Sequence, residues 1–282
     1  MSRDGTAFLP CRTCNINNDI TGVSGGLVGG AVPHDGGRTW PSYMIPGATW
    51  PIRGFDPSVA TTEDNTVYEA WGAAGNYHPL VAMSRDHGTT WTKPFDMATT
   101  TRDRIEASAF HAVVAGSNGR VAIAFLGSPD SGSTAVTPFD SGFAGHWYLY
   151  VAFTYDGGSH WQTARASSTV MQVGGICDSG TTCLSGRNLL DFMDATVDAS
   201  GRVVVGLAEG CHGGCDPDST HPSTDAWAAV VRQNNGPGSR TTRTSPSALD
   251  RQTLHTFRLD PLVCCTDGRR IGLGRLGIGP TQ

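Results

Sequence analysis

The chain has 282 residues and a formal net charge of −5, and charged residues make up only 16% of it. Its 37 Gly and 16 Pro residues are typical of many tight turns between strands, which argues against a helical bundle. The 38% hydrophobic content is too high for a disordered chain, and the acidic balance provides no globally basic surface for nucleic acid. The composition predicts a globular, all-β protein.

The two ends of the chain differ from its middle. Residues 1–5 lack the apolar segment of a signal peptide, and no apolar run approaches the ~18 residues of a membrane span. From Pro237 onward there are seven Arg and three Asp, a net charge of +4, so the rest of the chain carries −9. We expect an N-terminal segment at 1–19 and a separate Arg-rich segment at 237–282.

The eight cysteines fall into four close pairs. The pairs are Cys11 and Cys14, Cys177 and Cys183, Cys211 and Cys215, and Cys264 and Cys265. Such spacing is typical of small disulfide loops in an exported protein or of thiolate metal ligands in a cytosolic one. Cys211, His212 and Cys215 form the best metal candidate, but their spacing matches no zinc finger or ribbon. We therefore favour disulfides over a metal, which predicts a secreted protein whose signal peptide is absent from this chain.

A short pattern, Asp-x-Gly-x-x-Trp, occurs at 35–40, 86–91 and 156–161. Each copy follows a largely apolar run, which indicates a strand that ends in a turn. In such a turn the Asp carboxylate accepts backbone N–H groups, the Gly adopts a conformation that other residues avoid, and the Trp packs back onto the sheet. The pattern predicts three equivalent hairpins.

A second repeat is interleaved with the first, and its copies begin at Asp56, His111 and Asp194. Each copy reads as a strand, a polar turn and a second strand. Together the two repeats give a unit of four antiparallel strands, which is the blade of a β-propeller. A partial unit precedes the three copies, so the sequence shows about four units.

The three Asp-x-Gly-x-x-Trp turns resemble the Asp-box, or bacterial neuraminidase repeat, of the sialidase-like β-propeller superfamily. The stretch from Cys183 to Cys211, which includes residues 187–194, also resembles secreted bacterial proteins of the sialidase family. We assign residues 20–236 to such blades. The resemblance implies a propeller that is usually six-bladed, with the box turns on the rim away from the substrate. Since fewer units are visible, we expect an incomplete propeller or one of fewer blades.

Residues at the start of each unit are the first site candidates, because the strands nearest a propeller axis present their ends to a central funnel. The repeat alignment puts Asp56, His111 and Asp194 at equivalent positions. Further charged residues lie shortly before them, namely Arg53, Arg104, Glu106, Arg187 and Asp191. Such groups around one axis suit an anionic or polyhydroxylated sugar. The structural alternative is that an Asp opening a strand only binds turn amides.

Glu69 stands where the equivalent strands carry Ile123 and Val205, so a carboxylate replaces an aliphatic side chain in a strand expected to be covered. An unpaired buried charge is costly, so Glu69 is expected to pair with an Arg, to be protonated or to face the funnel. A raised pKa would suit a general acid. The alternative is an edge position that faces solvent.

These residues lead to a hypothesis of glycoside hydrolysis at terminal sugars of glycans or polysaccharides, which commonly uses two carboxyl groups. Asp56, Glu69, Asp194, Asp191 and His111 are its catalytic candidates, and Arg53, Arg104, Arg187 and Glu106 its substrate-binding candidates. The family resemblance implies instead a Tyr nucleophile, an Asp acid and three Arg, but the Phe/Tyr-Arg-Ile-Pro signature is missing and no Tyr can be assigned. The alternative is a propeller that binds a glycan or protein without hydrolysis. We expect no cofactor or metal.

Overall fold

The computed structural model describes residues 2–14, 27–48, 56–73, 75–178, 182–183, 185–190, 193–211, 215, 218 and 221–239. Their regular structure consists of β-strands joined by turns and loops, with one short 3-10 helix at Met97–Thr100. The predicted all-β class is confirmed. Every strand pair is antiparallel, and the strands lie in four sheets.

Each sheet follows the order of the chain. The first contains β1 (Leu9–Cys14), β2 (Leu27–Ala31) and β3 (Ser42–Met44). The second contains β4 (Ser58–Thr61), β5 (Val67–Gly72), β6 (Pro79–Ser84) and β7 (Phe95–Asp96). The third contains β8 (Ala107–Ala115), β9 (Val121–Ser128), β10 (His146–Thr154) and β11 (Gln162–Arg165), with β12 (Gln172–Val173) also paired to β10. The fourth contains β13 (Met193–Val197), β14 (Val203–Glu209) and β15 (Trp227–Arg232).

The sheets stand side by side, joined through their first strands. Strand β1 contacts β4, β4 contacts β8, and β8 contacts β13. The predicted meander of four strands is confirmed in the second and third sheets, whereas the described parts of the first and fourth sheets have three. Four sheets with adjacent first strands match the predicted arrangement of blades. Ring closure and the number of blades stay predictions.

The core consists of apolar layers between neighbouring sheets. Val28 and Trp71 pack between the first and second sheets, Tyr68 and Phe125 between the second and third, and Leu149 with other residues between the third and fourth. Strands β5 and β9 are buried along their whole length because sheets cover both of their faces. Burial of each such side chain stabilises the fold by roughly 1.5–3 kcal/mol, so the layers hold the sheets together.

The Asp-Gly turns adopt the predicted geometry. The Asp86 carboxylate accepts the backbone N–H of Thr90 at 2.8 Å and its hydroxyl at 2.6 Å, and Gly88 has a φ of +83°. The Trp91 indole N–H donates to the carbonyl oxygen of Gly88 at 3.0 Å. Equivalent carboxylate bonds close the turns at 35–40 and 156–161. The local sequence thus determines these three hairpins.

The tryptophans of these turns pack on the preceding sheet rather than on their own. Trp91 stacks on Tyr43 of the first sheet with ring centres 5.0 Å apart. Trp161 meets the edge of Tyr68 in the second sheet at 6.4 Å. Trp40 belongs to the first sheet and is 46% exposed, and no sheet precedes it among the described residues. Trp91 and Trp161 therefore pack between neighbouring sheets.

Bonds between sheets define two ends of the molecule. At one end, here called the turn end, Arg85 donates to the carbonyl oxygen of Gly157 at 3.0 Å, which joins the second and third Asp-Gly turns. At the other end, the Ser108 hydroxyl at the start of β8 donates to the carbonyl oxygen of Tyr77 at 2.8 Å, in the β5–β6 loop. Because neighbouring strands are antiparallel, the β9–β10 loop lies at this second end too, which we call the cleft end.

Candidate functional site

An open cleft of about 490 Å³ lies at the cleft end of the third sheet. Its walls come from two places in the chain: Arg104, shortly before β8, and the long β9–β10 loop with the first residue of β10, His146. Within that loop, residues 129–133, Val136 and residues 142–145 line the space. Loops longer than about 12–15 residues in a compact domain are usually functional. The cleft is therefore the strongest candidate site in the described part of the chain.

Charged groups are concentrated on one side of the cleft. The Arg104 guanidinium donates through Nε to the Glu106 carboxylate, and this bond raises the pKa of Arg104, with a smaller contribution from Asp130. Asp130 Oδ2 accepts the backbone N–H of His146 at 2.9 Å and lies 3.6 Å from His146 Nδ1. One guanidinium thus lies near two carboxylates and an imidazole, which can bind hydroxyl groups in several directions.

A glycine allows these groups to approach one another. A Cβ atom on Gly145 would lie 2.2 Å from Cζ of Phe143 and 2.8 Å from Cβ of Asp130, distances that real Cβ atoms do not reach. Phe143 is buried, with its ring edge-on to Trp147 at 6.0 Å. Gly145 therefore lets an aromatic ring and a carboxylate share one wall of the cleft.

The cleft loop is anchored from behind by the segment after β12. Gly174 donates its N–H to the carbonyl oxygen of Gly145 at 2.9 Å and accepts the Trp147 indole N–H at 2.9 Å. Ile176 donates to the carbonyl oxygen of Pro138 at 3.2 Å. Directly after this segment, Cys177 forms a disulfide with Cys183. The segment after β12 therefore connects the disulfide loop to the cleft loop.

Strained backbone lies next to the cleft. Tyr77 has a φ of 54° and Phe110 a φ of 55°, in the left-handed region that bulky residues rarely adopt. The Tyr77 ring packs edge-on against Phe139 of the cleft loop at 5.4 Å. Phe110 lies in an irregularity of β8, where the pairing with β9 shifts between Ala109 and Ala112. Such strain costs about 1–3 kcal/mol per residue and clusters at functional sites.

Two of the predicted site residues meet at the cleft. Arg104 lines it, and Glu106 is bound to Arg104. That these two residues form part of a functional site stays a prediction. Two others, Arg53 and Asp191, lie outside the described residues, and Arg187 is half-buried shortly before β13, where its carbonyl oxygen accepts the N–H of Leu190 at 3.0 Å.

Asp56, His111 and Asp194 are not equivalent in the structure. Facing residues on the first two strands of each sheet define equivalent positions. These facing pairs are Val59 with Glu69, Val113 with Ile123, and Ala195 with Val205. Asp56 precedes its strand position by three residues, His111 by two and Asp194 by one. Asp56 and Asp194 are exposed, and Asp194 accepts the N–H of Ala195 at 2.8 Å.

His111 is buried in the layer between sheets. Its Nε2 lies 3.1 Å from the Ser108 hydroxyl, and its ring stacks on Phe125 at 5.8 Å. Its Nδ1 is buried without a hydrogen-bond partner among the described residues. Burial lowers the pKa of His111 from 6.5 to about 3, so the ring is neutral at physiological pH. This position makes His111 part of the packing rather than of the cleft.

Glu69 is also buried, with no exposed surface, and does not share a cavity with the exposed Asp56 and Asp194. Its Oε2 accepts the Tyr43 hydroxyl at 2.7 Å, and its Oε1 has no partner among the described residues. Burial raises the pKa of Glu69 well above 4.5. Of the three predicted outcomes the structure favours a protonated carboxyl group, and its partner is a Tyr rather than an Arg.

Two of the predicted cysteine pairs form disulfides, Cys177–Cys183 and Cys211–Cys215. The second removes the thiolates that the metal alternative needed. Cys11 has a free thiol. The side chain of Cys14 and the residues His212, Cys264 and Cys265 lie outside what the structure describes. Across the described ranges no helix is long and apolar enough to cross a membrane.

Sequence reasoning missed Asp130 and His146. Both lie where the repeat pattern stops, in or beside a loop rich in Gly, Ser and Asp that has no periodicity. Their one signal is position: Asp130 follows the apolar run of β9 almost directly, and His146 opens β10. Because β9 and β10 are adjacent and antiparallel, residues at the end of one and the start of the other must lie close together.

No family model matches the chain, and no curated protein matches its sequence. Among solved structures, the chain is similar to an ulvan lyase of a polysaccharide lyase family, with 14% identity and a TM-score of 0.47. It is also similar to a Hadza microbial sialidase, with 16% identity and a TM-score of 0.38, and to an α-L-arabinanase of Penicillium chrysogenum, with 11% and 0.42. These matches cover 81%, 73% and 80% of this chain and 52%, 37% and 62% of the other chains, less than two thirds of each.

Proposed function

We propose that the protein is a secreted, glycan-active β-propeller that hydrolyses glycosidic bonds of terminal sugars at the cleft. The observation that carries the proposal is that Arg104, Asp130 and His146 line one open cleft, with Glu106 bound to Arg104 beside it, at the end of the sheets opposite the Asp-Gly turns. The resemblance of these turns to the Asp-box repeat supports the same placement, because it implies a substrate site away from the turns.

Glycoside hydrolysis commonly uses two carboxyl groups beside the glycosidic bond, and Asp130 and Glu106 would supply them. One protonates the leaving oxygen while the other assists water or attacks the sugar. Asp130 and Glu106 are both accessible, with 46% and 27% of their side chains exposed, unlike the buried Glu69. Arg104 and His146 would bind sugar hydroxyl groups beside them. Asp56 and Asp194, at the starts of β4 and β13, remain proposed contributors to the same end, as do Arg53, Arg187 and Asp191.

The test is a screen of chromogenic glycosides, a sialoside among them, against the protein and its Glu106→Gln and Asp130→Asn variants. On glycosides with a sugar or alkyl leaving group, we expect each variant to lower kcat/KM by at least about 100-fold, the usual contribution of general acid–base catalysis. The matched control is Glu63→Gln, an exposed carboxylate in the β4–β5 turn at the turn end. Hydrolysis that survives both cleft substitutions would refute the proposed site.

Substrates with two kinds of leaving group divide the roles. The variant that lacks the acid should retain activity on nitrophenyl glycosides, whose leaving group needs no proton, and lose it on alkyl glycosides. The variant that lacks the base or nucleophile should lose both. Equal losses on both substrates in both variants would contradict a division of roles.

One observation favours the second candidate, a propeller that binds glycans without hydrolysing them. Both carboxylates already accept donors of the protein itself, Glu106 from Arg104 and Asp130 from the His146 backbone. Glycan binding that depends on Asp130 and proceeds without product formation would identify this case.

A further inference from the structure

We propose that the cleft selects uncharged sugars and rejects those that carry a carboxylate or sulfate. This inference rests on the proposed function and narrows its substrate class. It narrows the expectation of an anionic or polyhydroxylated sugar, which was based on carboxylates, an imidazole and guanidiniums around one axis. The structure gathers a different set of charges at the cleft.

Arg104 is the only Arg or Lys among the described residues that line the cleft. Its guanidinium is already bound to Glu106, and the negative charge of Asp130 lies close enough to raise its pKa further. One guanidinium is thus set against two carboxylates. An acidic sugar would have to displace Glu106 from Arg104 and lie beside Asp130, and like charges brought together without compensation oppose binding.

Uncharged sugars meet no such barrier. Their hydroxyl groups can donate to the free lone pairs of Asp130 and Glu106 and accept from the remaining N–H groups of Arg104, which has five in all. Ser131 lines the same cleft and adds an exposed hydroxyl. The cleft therefore contains acceptors in excess of donors, which fits a ligand rich in hydroxyl groups.

The test measures binding rather than turnover, so it does not depend on catalysis. The probes are immobilised glycans that end in matched sugars differing only at C6, glucose against glucuronate and galactose against galacturonate, together with a sialic acid. We expect the uncharged members to bind at least about tenfold more tightly, which corresponds to about 1.4 kcal/mol. Raising the salt concentration should narrow the difference, because salt screens repulsion between exposed charges.

Four variants sharpen the result. Glu106→Gln releases Arg104 and should raise the affinity for the acidic probes, whereas Arg104→Gln should not. Asp130→Asn should also reduce the discrimination, and Glu63→Gln at the turn end should leave it unchanged. Acidic probes that bind the unaltered protein more tightly than their uncharged partners, with loss of binding in Arg104→Gln, would overturn the inference and leave the proposed function standing. Failure of every probe to bind would overturn both.

Discussion

The Tyr43 hydroxyl donates to the Glu69 carboxyl group at 2.7 Å and thereby joins the first sheet to the second across an otherwise apolar layer. A Cβ atom on Gly30 would lie 2.5 Å from this hydroxyl, so the glycine makes room for the bond. The pair is enclosed, since Glu69 has no exposed surface and Tyr43 stacks against Trp91. A buried acid with one donor is expected to respond to pH.

The first prediction concerns Glu69→Gln. Burial raises the pKa of Glu69 well above 4.5, so the folded protein holds a proton that the unfolded chain releases. The free energy of unfolding should therefore fall as the pH rises above 4.5, by up to about 1.4 kcal/mol per pH unit. Glu69→Gln should remove this loss and stabilise the protein at neutral pH. Urea unfolding of both proteins across pH measures it, and parallel curves would contradict it.

The second prediction concerns the donor of the same pair. Tyr43→Phe keeps the ring that stacks on Trp91 but leaves the buried carboxyl group of Glu69 without its hydrogen bond. We expect a loss of about 1–3 kcal/mol in the free energy of unfolding, the cost of an unsatisfied buried polar group. Combining Tyr43→Phe with Glu69→Leu should recover much of that loss, because both polar groups are then absent. Additive losses in this double-mutant cycle would show that the two groups do not interact.

The third prediction concerns His111, whose pH response has the opposite sign. Burial lowers its pKa from 6.5 to about 3, so below pH 6.5 the unfolded chain takes up a proton that the folded protein refuses. The free energy of unfolding should fall as the pH drops from 6.5 toward 3. His111→Gln should flatten this part of the curve, and His34→Gln, at an exposed imidazole, serves as the control. An unchanged acid limb in His111→Gln would refute the assignment.

Much of the fold follows from local sequence. The Asp-Gly turns could be predicted in detail because their bonds lie within a few residues of one another, as between Asp86 and Thr90. Burial of Glu69 could be predicted from the aliphatic residues at equivalent positions. Its partner could not, because Tyr43 belongs to a different sheet and only the packing of two sheets brings them together.

The cleft was harder to predict for two physical reasons. The pairing of the strands, which sequence similarity does not reveal, puts Asp56, His111 and Asp194 three, two and one residues before equivalent strand positions and so separates all three. The cleft loop has no periodic pattern, so nothing marks Asp130 until β9 and β10 are known to be neighbours. Arg104 and Glu106 could be predicted because they immediately precede a first strand.

The fourth prediction tests the wall of the cleft through Gly145→Ala. The added methyl group would clash with the Phe143 ring and with Cβ of Asp130, so one of them must move. We expect a loss of about 1–3 kcal/mol in stability from overpacking and at least about tenfold weaker glycan binding from the displaced carboxylate. Gly206→Ala is the matched control, since a Cβ there meets nothing within 4 Å. Equal effects of the two substitutions would contradict the role of Gly145.

The fifth prediction concerns the disulfide behind the cleft loop. Cys177 lies next to Ile176, whose N–H holds the loop at Pro138, and Cys177 itself donates to the carbonyl oxygen of Gly186 at 2.9 Å. Replacing Cys177 and Cys183 by Ser should therefore speed hydrogen–deuterium exchange in the segments around Pro138 and Ile176, because local opening costs less when an anchor is removed. Exchange at the turn end, around the β4–β5 turn, should not change.

The matched control for this variant is replacement of Cys211 and Cys215, a disulfide of similar loop size near the end of β14. It should leave exchange in the cleft loop unaltered, whereas the loss of Cys177–Cys183 should also weaken glycan binding. An exchange pattern shared by both variants would mean that the disulfides act only on global stability, because a general loss of stability speeds exchange in all segments that open by unfolding. Faster exchange confined to the cleft loop would establish the anchor.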